Sequence, residues 1–160
     1  MLTLSLGQWV VVCLLSGFVA ATLMNIPMGV QPEGYLPAYV AAGGLTDTDP
    51  TEVSQVLAVA VHQVTGTVAT LLYGGIVFVL SFVLPTVVSL NGVPAIPHLV
   101  GVTGLVLFIF LFFDRIAMPR AGGRLQDDRD RIVRQWALSS FIYGVAVALL
   151  VPVLVDLFAW

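Results

Sequence analysis

The chain has 160 residues, of which 59% are hydrophobic and only 9% charged, and its net charge is −3. So little charge cannot cover a water-soluble domain of this size, and there is no basic excess to hold a nucleic acid. Four apolar stretches, about 9–29, 56–84, 93–113 and 136–158, each reach the roughly 18 residues a membrane-spanning helix needs, so the sequence predicts one four-span domain over 1–160 and an all-α, polytopic membrane four-helix bundle.

The first span opens at Trp9, an interfacial residue type, and Pro27 is expected to end or kink it. Residues 1–8 carry no basic group, so the span lacks a signal peptide's basic leader and is expected to be retained. The single cysteine, Cys13, forms no intrachain disulfide and reads as a small packing residue. Residues 30–54 read as a loop punctuated by Pro32, Pro37, Gly43, Gly44 and Pro50, with an apolar middle at 35–42 that could lie in the interface. Glu33, Asp47, Asp49 and Glu52 make it purely acidic.

The second helix is expected to begin near Asp49 or Thr51, with Asp49-Pro50 as N-cap and first position, and to stop at Pro85. The uncharged link that follows holds an Asn91-Gly92 turn signal. The third span is expected to end at Asp114-Arg115. After the Gly122-Gly123 break, Asp127 and Asp128 suit a new helix start, with Asp127–Arg131 and Asp130–Arg134 as i,i+4 pairs. That fourth helix enters the bilayer near Trp136.

All six basic residues are arginines, and all lie between Arg115 and Arg134. Positive charge is held on the cytoplasmic side, so the loops at about 30–54 and 114–134 are expected inside a cell membrane, with both termini outside. The acidic loop should then dock on the arginine segment. Arg115, Arg120 and Arg124 are candidates for that contact or for anionic lipid headgroups.

Small residues recur every four positions. The first helix carries Cys13, Gly17, Ala21, Asn25 and Gly29; the second carries Ala58, His62, Gly66, Thr70 and Gly74; the fourth carries Ser140, Gly144, Ala148, Pro152 and Asp156. Each set shares a helix face and reads as a packing seam or as the lining of a path. The bulky third helix is expected to face lipid most. His62-x-x-x-Gly66 and Ser140-x-x-x-Gly144 hint at two similar helical hairpins.

Ionisable groups inside a membrane are costly and are candidates for function. His62 lies near the inner end of its helix at the depth of Asn25, so the pair, with Thr65 and Thr70, forms the candidate polar site; the structural alternative is a neutral His62 donating to a carbonyl or to an Asn. His98 and Asp156 form a second candidate pair at the outer side, or are simply wet interface residues. The two histidines should lie about 30 Å apart, on opposite sides of the hydrocarbon, which argues against a haem b held by both. No cofactor or metal is expected. Zinc-protease, phosphate-loop and nucleophile-elbow motifs are missing, so nothing marks an enzyme.

Gly17-Phe18-Val19-Ala20-Ala21-Thr22-Leu23-Met24, His62-x-x-x-Gly66 with Tyr73-Gly74, and Tyr143-Gly144 together resemble a family of small, functionally uncharacterised four-helix prokaryotic membrane proteins. Arginine without lysine beside an acidic loop gives a haloarchaeal flavour. The resemblance implies a four-helix fold and carries no catalytic residue, and the long acidic loop departs from that family's compact hairpin. The leading expectation is a non-enzymatic accessory or scaffold subunit, with a partner membrane subunit or in self-association. The alternatives are a small-solute or ion transporter with a path near Asn25 and His62, and a haem electron-transfer subunit.

Overall fold

The computed structural model describes residues 4–120 and 128–158. The elements are α1 (Leu6–Val30), α2 (Leu36–Thr46), α3 (Gln55–Val83), a hairpin of β1 (Ser89–Leu90) and β2 (Val93–Pro94), α4 (Ala95–Phe112), a π-helical turn (Phe113–Ala117), α5 (Met118–Arg120) and α6 (Arg129–Phe158). Four helical segments are long and apolar enough to cross a membrane: α1, α3, α4 continued through the π turn, and α6. They make the all-α four-helix bundle that the composition predicts. Each of α1 and α4 packs on both α3 and α6, and successive spans run antiparallel, as short connections require. One end of the bundle holds the β hairpin, the start of α1 and the end of α6. The other, the charged end, holds α2, the π turn and the start of α6.

Local chemistry sets the helix ends. A capping box opens α1: Ser5 Oγ accepts from the Gln8 amide at 3.3 Å and Gln8 Oε1 accepts from the Ser5 amide at 3.0 Å. Pro27 lies inside α1 and does not end it; in the last turn its ring tolerably costs one donor. The expected start of the second helix is corrected: α3 begins at Gln55, capped by Ser54 Oγ on the Leu57 amide. Asp49 instead folds a local turn, its Oδ1 accepting from the Thr51 amide at 2.9 Å and the Thr51 hydroxyl at 2.6 Å.

Within residues 30–54, expected as a loop, the apolar middle forms α2. Pro37 occupies its first turn and Asp47 closes it in the left-handed region, φ 53°. Gly43 does not break this helix; a Cβ there would lie 2.6 Å from the Thr48 carbonyl oxygen, so the glycine serves the tight return of the chain. Asn91 and Gly92 both take positive φ, as a two-residue hairpin turn demands.

Two further expectations change. Helix does not stop at Asp114, because the charge is neutralised in place: Asp114 is buried and pairs with Arg129 and, at 3.0 Å, with Arg115. The chain can therefore pass through the π turn into α5. Nor is the third span the most exposed. Of the most apolar window in each span, 44% is buried in α1, 39% in α6, 33% in α4 and only 22% in α3. The outer face of α3 presents Val64, Val68, Leu72, Val79 and Phe82, while Leu105 and Phe113 of the bulky α4 run turn inward.

Candidate functional site

The α1 and α3 stripes meet in antiparallel register. A Cβ on Gly74 would sit 2.7 Å from Cys13 Sγ, and one on Gly66 would sit 2.8 Å from Ala21 Cβ. Between them Gly17 faces Thr70, whose hydroxyl lies 2.7 Å from both the Cys13 and Thr67 carbonyl oxygens. Such close approach exposes α1 carbonyls to α3 side chains, and the next position in register is Asn25 against His62.

Those two residues do not bond to each other. They converge on one acceptor: His62 Nε2 and Asn25 Nδ2 each lie 3.2 Å from the Ala21 carbonyl oxygen. Asn25 Oδ1 accepts from the Tyr35 hydroxyl at 3.2 Å, which ties the start of α2 to the seam. Facing a carbonyl, His62 Nε2 carries the hydrogen, which leaves Nδ1 as an acceptor. Thr65 is exposed and donates back to Val61 O at 2.7 Å, whereas Thr70 is fully buried in the seam.

The second candidate pair, His98 with Asp156, is not formed. Asp156 is exposed and His98 is completely buried. The Tyr73 hydroxyl donates to His98 Nδ1 at 2.5 Å, and His98 Nε2–H donates to the Ala148 carbonyl at 3.0 Å. This clasp joins α3, α4 and α6 and fixes the Nε2–H tautomer. The glycine one turn on explains the burial: a Cβ on Gly101 would lie 2.7 Å from Val77 and 3.2 Å from the Tyr73 ring, so α4 sits hard against α3. Trp9 completes the layer, its ring 6.2 Å from that of Tyr73 and its Nε1 donating to Gly74 O. Tyr73 follows His62 by eleven residues, about 16 Å along the axis, so the histidines are about half as far apart as expected.

Sequence reasoning missed the tyrosines. Tyr73-Gly74 and Tyr143-Gly144 entered only as points of resemblance, although a hydroxyl inside an apolar span demands a partner. Tyr143 donates to Gly66 O at 2.5 Å, across the bundle diagonal. Three buried hydroxyls, Ser16, Ser139 and Ser140, have no partner among the described residues.

Beside His62 lies a half-enclosed cavity of about 230 Å³, walled by Met24, Phe108, Phe113, Trp136 and Tyr143 and roofed by Pro37 and Ala38 of α2. It is overwhelmingly apolar. A wider groove of about 720 Å³ lies beside it, lined in part by Asp47, Thr48 and Asp49. Ala41, Thr65, Phe112 and Ala117 line both, so the two spaces adjoin.

At the charged end, Arg131 bridges Glu33 at 2.9 Å and Asp128 at 3.3 Å, and Gln135 Oε1 accepts from the Glu33 amide. The start of the acidic segment thus meets α6. The expected Asp130–Arg134 carboxylate pair is absent; Arg134 Nε donates to the Asp130 carbonyl instead. Arg115 is spent on Asp114, Arg120 closes α5, and Arg124 and Asp127 lie outside the described residues. No group of three or more His, Cys, Asp or Glu side chains suited to a metal occurs among the described residues. No protein-family model, curated protein or solved structure matches the chain.

Proposed function

We infer that the protein is a non-enzymatic integral membrane subunit that works through its surface, as a scaffold or accessory chain beside a partner subunit or a second copy of itself. The observation that carries this reading is how the costly polar groups of the interior are used. His62, His98, Tyr73, Tyr143 and Thr70 each bond a carbonyl or ring of a neighbouring helix. Groups so engaged lock helices together, and among the described residues the buried hydroxyls left without a partner are those of Ser16, Ser139 and Ser140. The space that does exist beside His62 is apolar, which weighs against the small-solute path. The haem reading gains nothing either, because His98 spends both ring nitrogens and His62 spends Nε2.

The sparsely buried outer face of α3 is the natural contact surface in this reading, and the confinement of every arginine to Arg115–Arg134 supports a cytoplasmic charged end. In a Cys13→Ala background, single cysteines at Val68 and Leu72 should cross-link to a second copy or to a co-purifying chain in native membranes, while cysteines at Leu149 and Val153 of α6 should not. A chain that stays monomeric and uncross-linked in lipid nanodiscs, and conducts a solute in proteoliposomes, would overturn the scaffold reading. Impermeant thiol reagents should reach Asn91→Cys from outside and Arg124→Cys only after permeabilisation.

A further inference from the structure

The cavity beside His62 is graded from inside to outside. Its deep wall is buried: Met24 of α1, Ala38 of α2, Phe113 of the π turn and Tyr143 of α6. Its near wall is open: Thr65 of α3 is exposed, and Phe108 and Phe112 of α4 are each about half exposed. The mouth therefore lies between α3 and α4. These helices touch at the other end of the bundle, where a Cβ on Gly101 would lie 2.7 Å from Val77 and 3.2 Å from the Tyr73 ring. Carrying that antiparallel register one seven-residue step towards the charged end sets Gly66 opposite Phe108. There α3 leans the other way: the atoms nearest a Cβ on Gly66 belong to Ala21 of α1, at 2.8 Å, and to Tyr143 of α6, at 3.8 Å. The seam that draws α3 onto α1 parts it from α4.

Where the mouth opens decides what can enter. Phe108 lies six residues before the buried Asp114 ion pair, about 9 Å along the axis, in a span apolar enough to cross a membrane. At that depth the mouth meets the hydrocarbon of the bilayer. Water needs two to four polar partners, and the walls are overwhelmingly apolar. A partner helix, about 10–12 Å across, is too wide for a space of about 230 Å³. An engineered apolar cavity of about 150 Å³ takes up benzene, so by proportion this one has room for roughly nine carbons. Left empty, its walls would forfeit dispersion contacts, and lipid chains stand at the mouth at a concentration no dissolved solute reaches. We propose that the cavity binds one hydrocarbon chain of a bilayer lipid, its methyl end against Met24 and Tyr143 and its glycerol end outside the mouth at Thr65 and Phe112. The flexible thioether of Met24 among aromatic rings suits a chain of variable shape. Only the chain is held, so the charge of the headgroup does not enter. Val68 and Leu72 do not line the cavity, which makes the site independent of the scaffold reading.

The test places the full chain in phosphatidylcholine nanodiscs doped with a phosphatidylcholine whose hexadecanoyl chain carries a diazirine, in one probe near the methyl end and in the other beside the ester. After photolysis, tandem mass spectrometry locates the label to the residue. Bulk lipid reaches only what faces the bilayer, so the exposed Leu149 of α6 is the internal reference. The methyl-end probe should label the buried Met24 and Tyr143 as well as Leu149. The ester-side probe should label Phe108 and Phe112 and leave Met24 bare. Ala41→Phe on α2 and Ala69→Phe on α3 fill the cavity from different elements. Each should abolish the Met24 and Tyr143 label, keep the Leu149 label and melt like the parent. If one variant fails to fold, the other decides; if both fail, the contrast between the two probes in the parent decides. Label at Leu149 with none at Met24 or Tyr143, equal label at Met24 from both probes, or Met24 label that survives in a folded variant would each overturn the proposal.

Discussion

The molecule's two histidines sit about three turns apart in projection on α3, yet their surroundings are opposites. Around His98 every ring nitrogen is used and the helices touch: a hydroxyl enters at Nδ1, Nε2–H leaves to Ala148, and Gly101 brings α4 onto the ring of Tyr73. Around His62 one nitrogen is used, and the other side of the ring lies along an apolar chamber. The same residue type thus closes one half of the bundle and borders an opening in the other. The decisive residues are the neighbours. A glycine at 101 lets the third span approach, whereas Phe108 and Phe112, about two and three turns further along α4, hold the walls apart at the charged end.

The comparison breaks most visibly through volume. Gly101→Val should lower stability by about 1–3 kcal/mol, the usual cost of overpacking, because its Cβ alone would come within 2.7 Å of Val77. Ala41→Phe, a larger addition at the open half, should leave the melting temperature in detergent within a few degrees of the parent or raise it. If both variants melt alike, the two halves are equally packed and the contrast fails.

Removing the rings sharpens it next. His98→Leu strands the buried Tyr73 hydroxyl and the part-buried Ala148 carbonyl. His62→Leu strands only the Ala21 oxygen, which still has Asn25 Nδ2. Interhelical hydrogen bonds in membrane proteins average about 0.6 kcal/mol and reach about 1.7, so His98→Leu should cost about twice as much as His62→Leu. A His98→Leu, Tyr73→Phe double-mutant cycle should show coupling of roughly 1 kcal/mol. The histidine order is the reverse of what the sequence suggests, where His98 reads as wet. A cycle with no coupling would mean that the clasp contributes position without energy.

How far the sequence could reach follows from these residues. Hydropathy finds the spans, because length and apolarity are properties of each segment alone. The stripe Cys13–Gly17–Ala21–Asn25 and its counterpart on α3 are legible for the same reason, and so is the meeting of Asn25 and His62 at one depth. What is not legible depends on a neighbour. Asp114 reads as the water boundary until Arg129 is seen beside it. Tyr35–Ala42 reads as interfacial loop until α3 and the π turn give it something to pack on. His98 pairs with Asp156 if both are placed by depth, but rotation about the axes of α4 and α6 points one inward and the other out. The cavity has no sequence signature, since it is made by six elements failing to meet.

The smallest effect concerns the charged end. Glu33 and Arg131 approach to 2.9 Å, with the two side chains 33% and 47% exposed, so water and salt screen the pair and its worth is about 0–1 kcal/mol. Arg131 also has Asp128 at 3.3 Å, so losing Glu33 leaves the guanidinium a partner. Glu33→Gln keeps the shape and should shift the melting temperature by a degree or less. The more informative readout is distance. Spin labels at the exposed positions Glu52 and Leu138 report whether the acidic segment stays against α6. At low salt they should give one narrow distribution in the parent and a broader one in Glu33→Gln. Raising salt to 1 M, where the Debye length falls to about 3 Å, should broaden the parent towards the variant if Coulomb attraction holds the segment. The same salt should leave the Tyr73–His98 half untouched, because that clasp is a pair of hydrogen bonds to a fully buried ring. A parent distribution unchanged by salt would instead assign the order of the acidic segment to α2, whose buried Pro37, Ala38 and Val40 pack it onto the bundle without any charge.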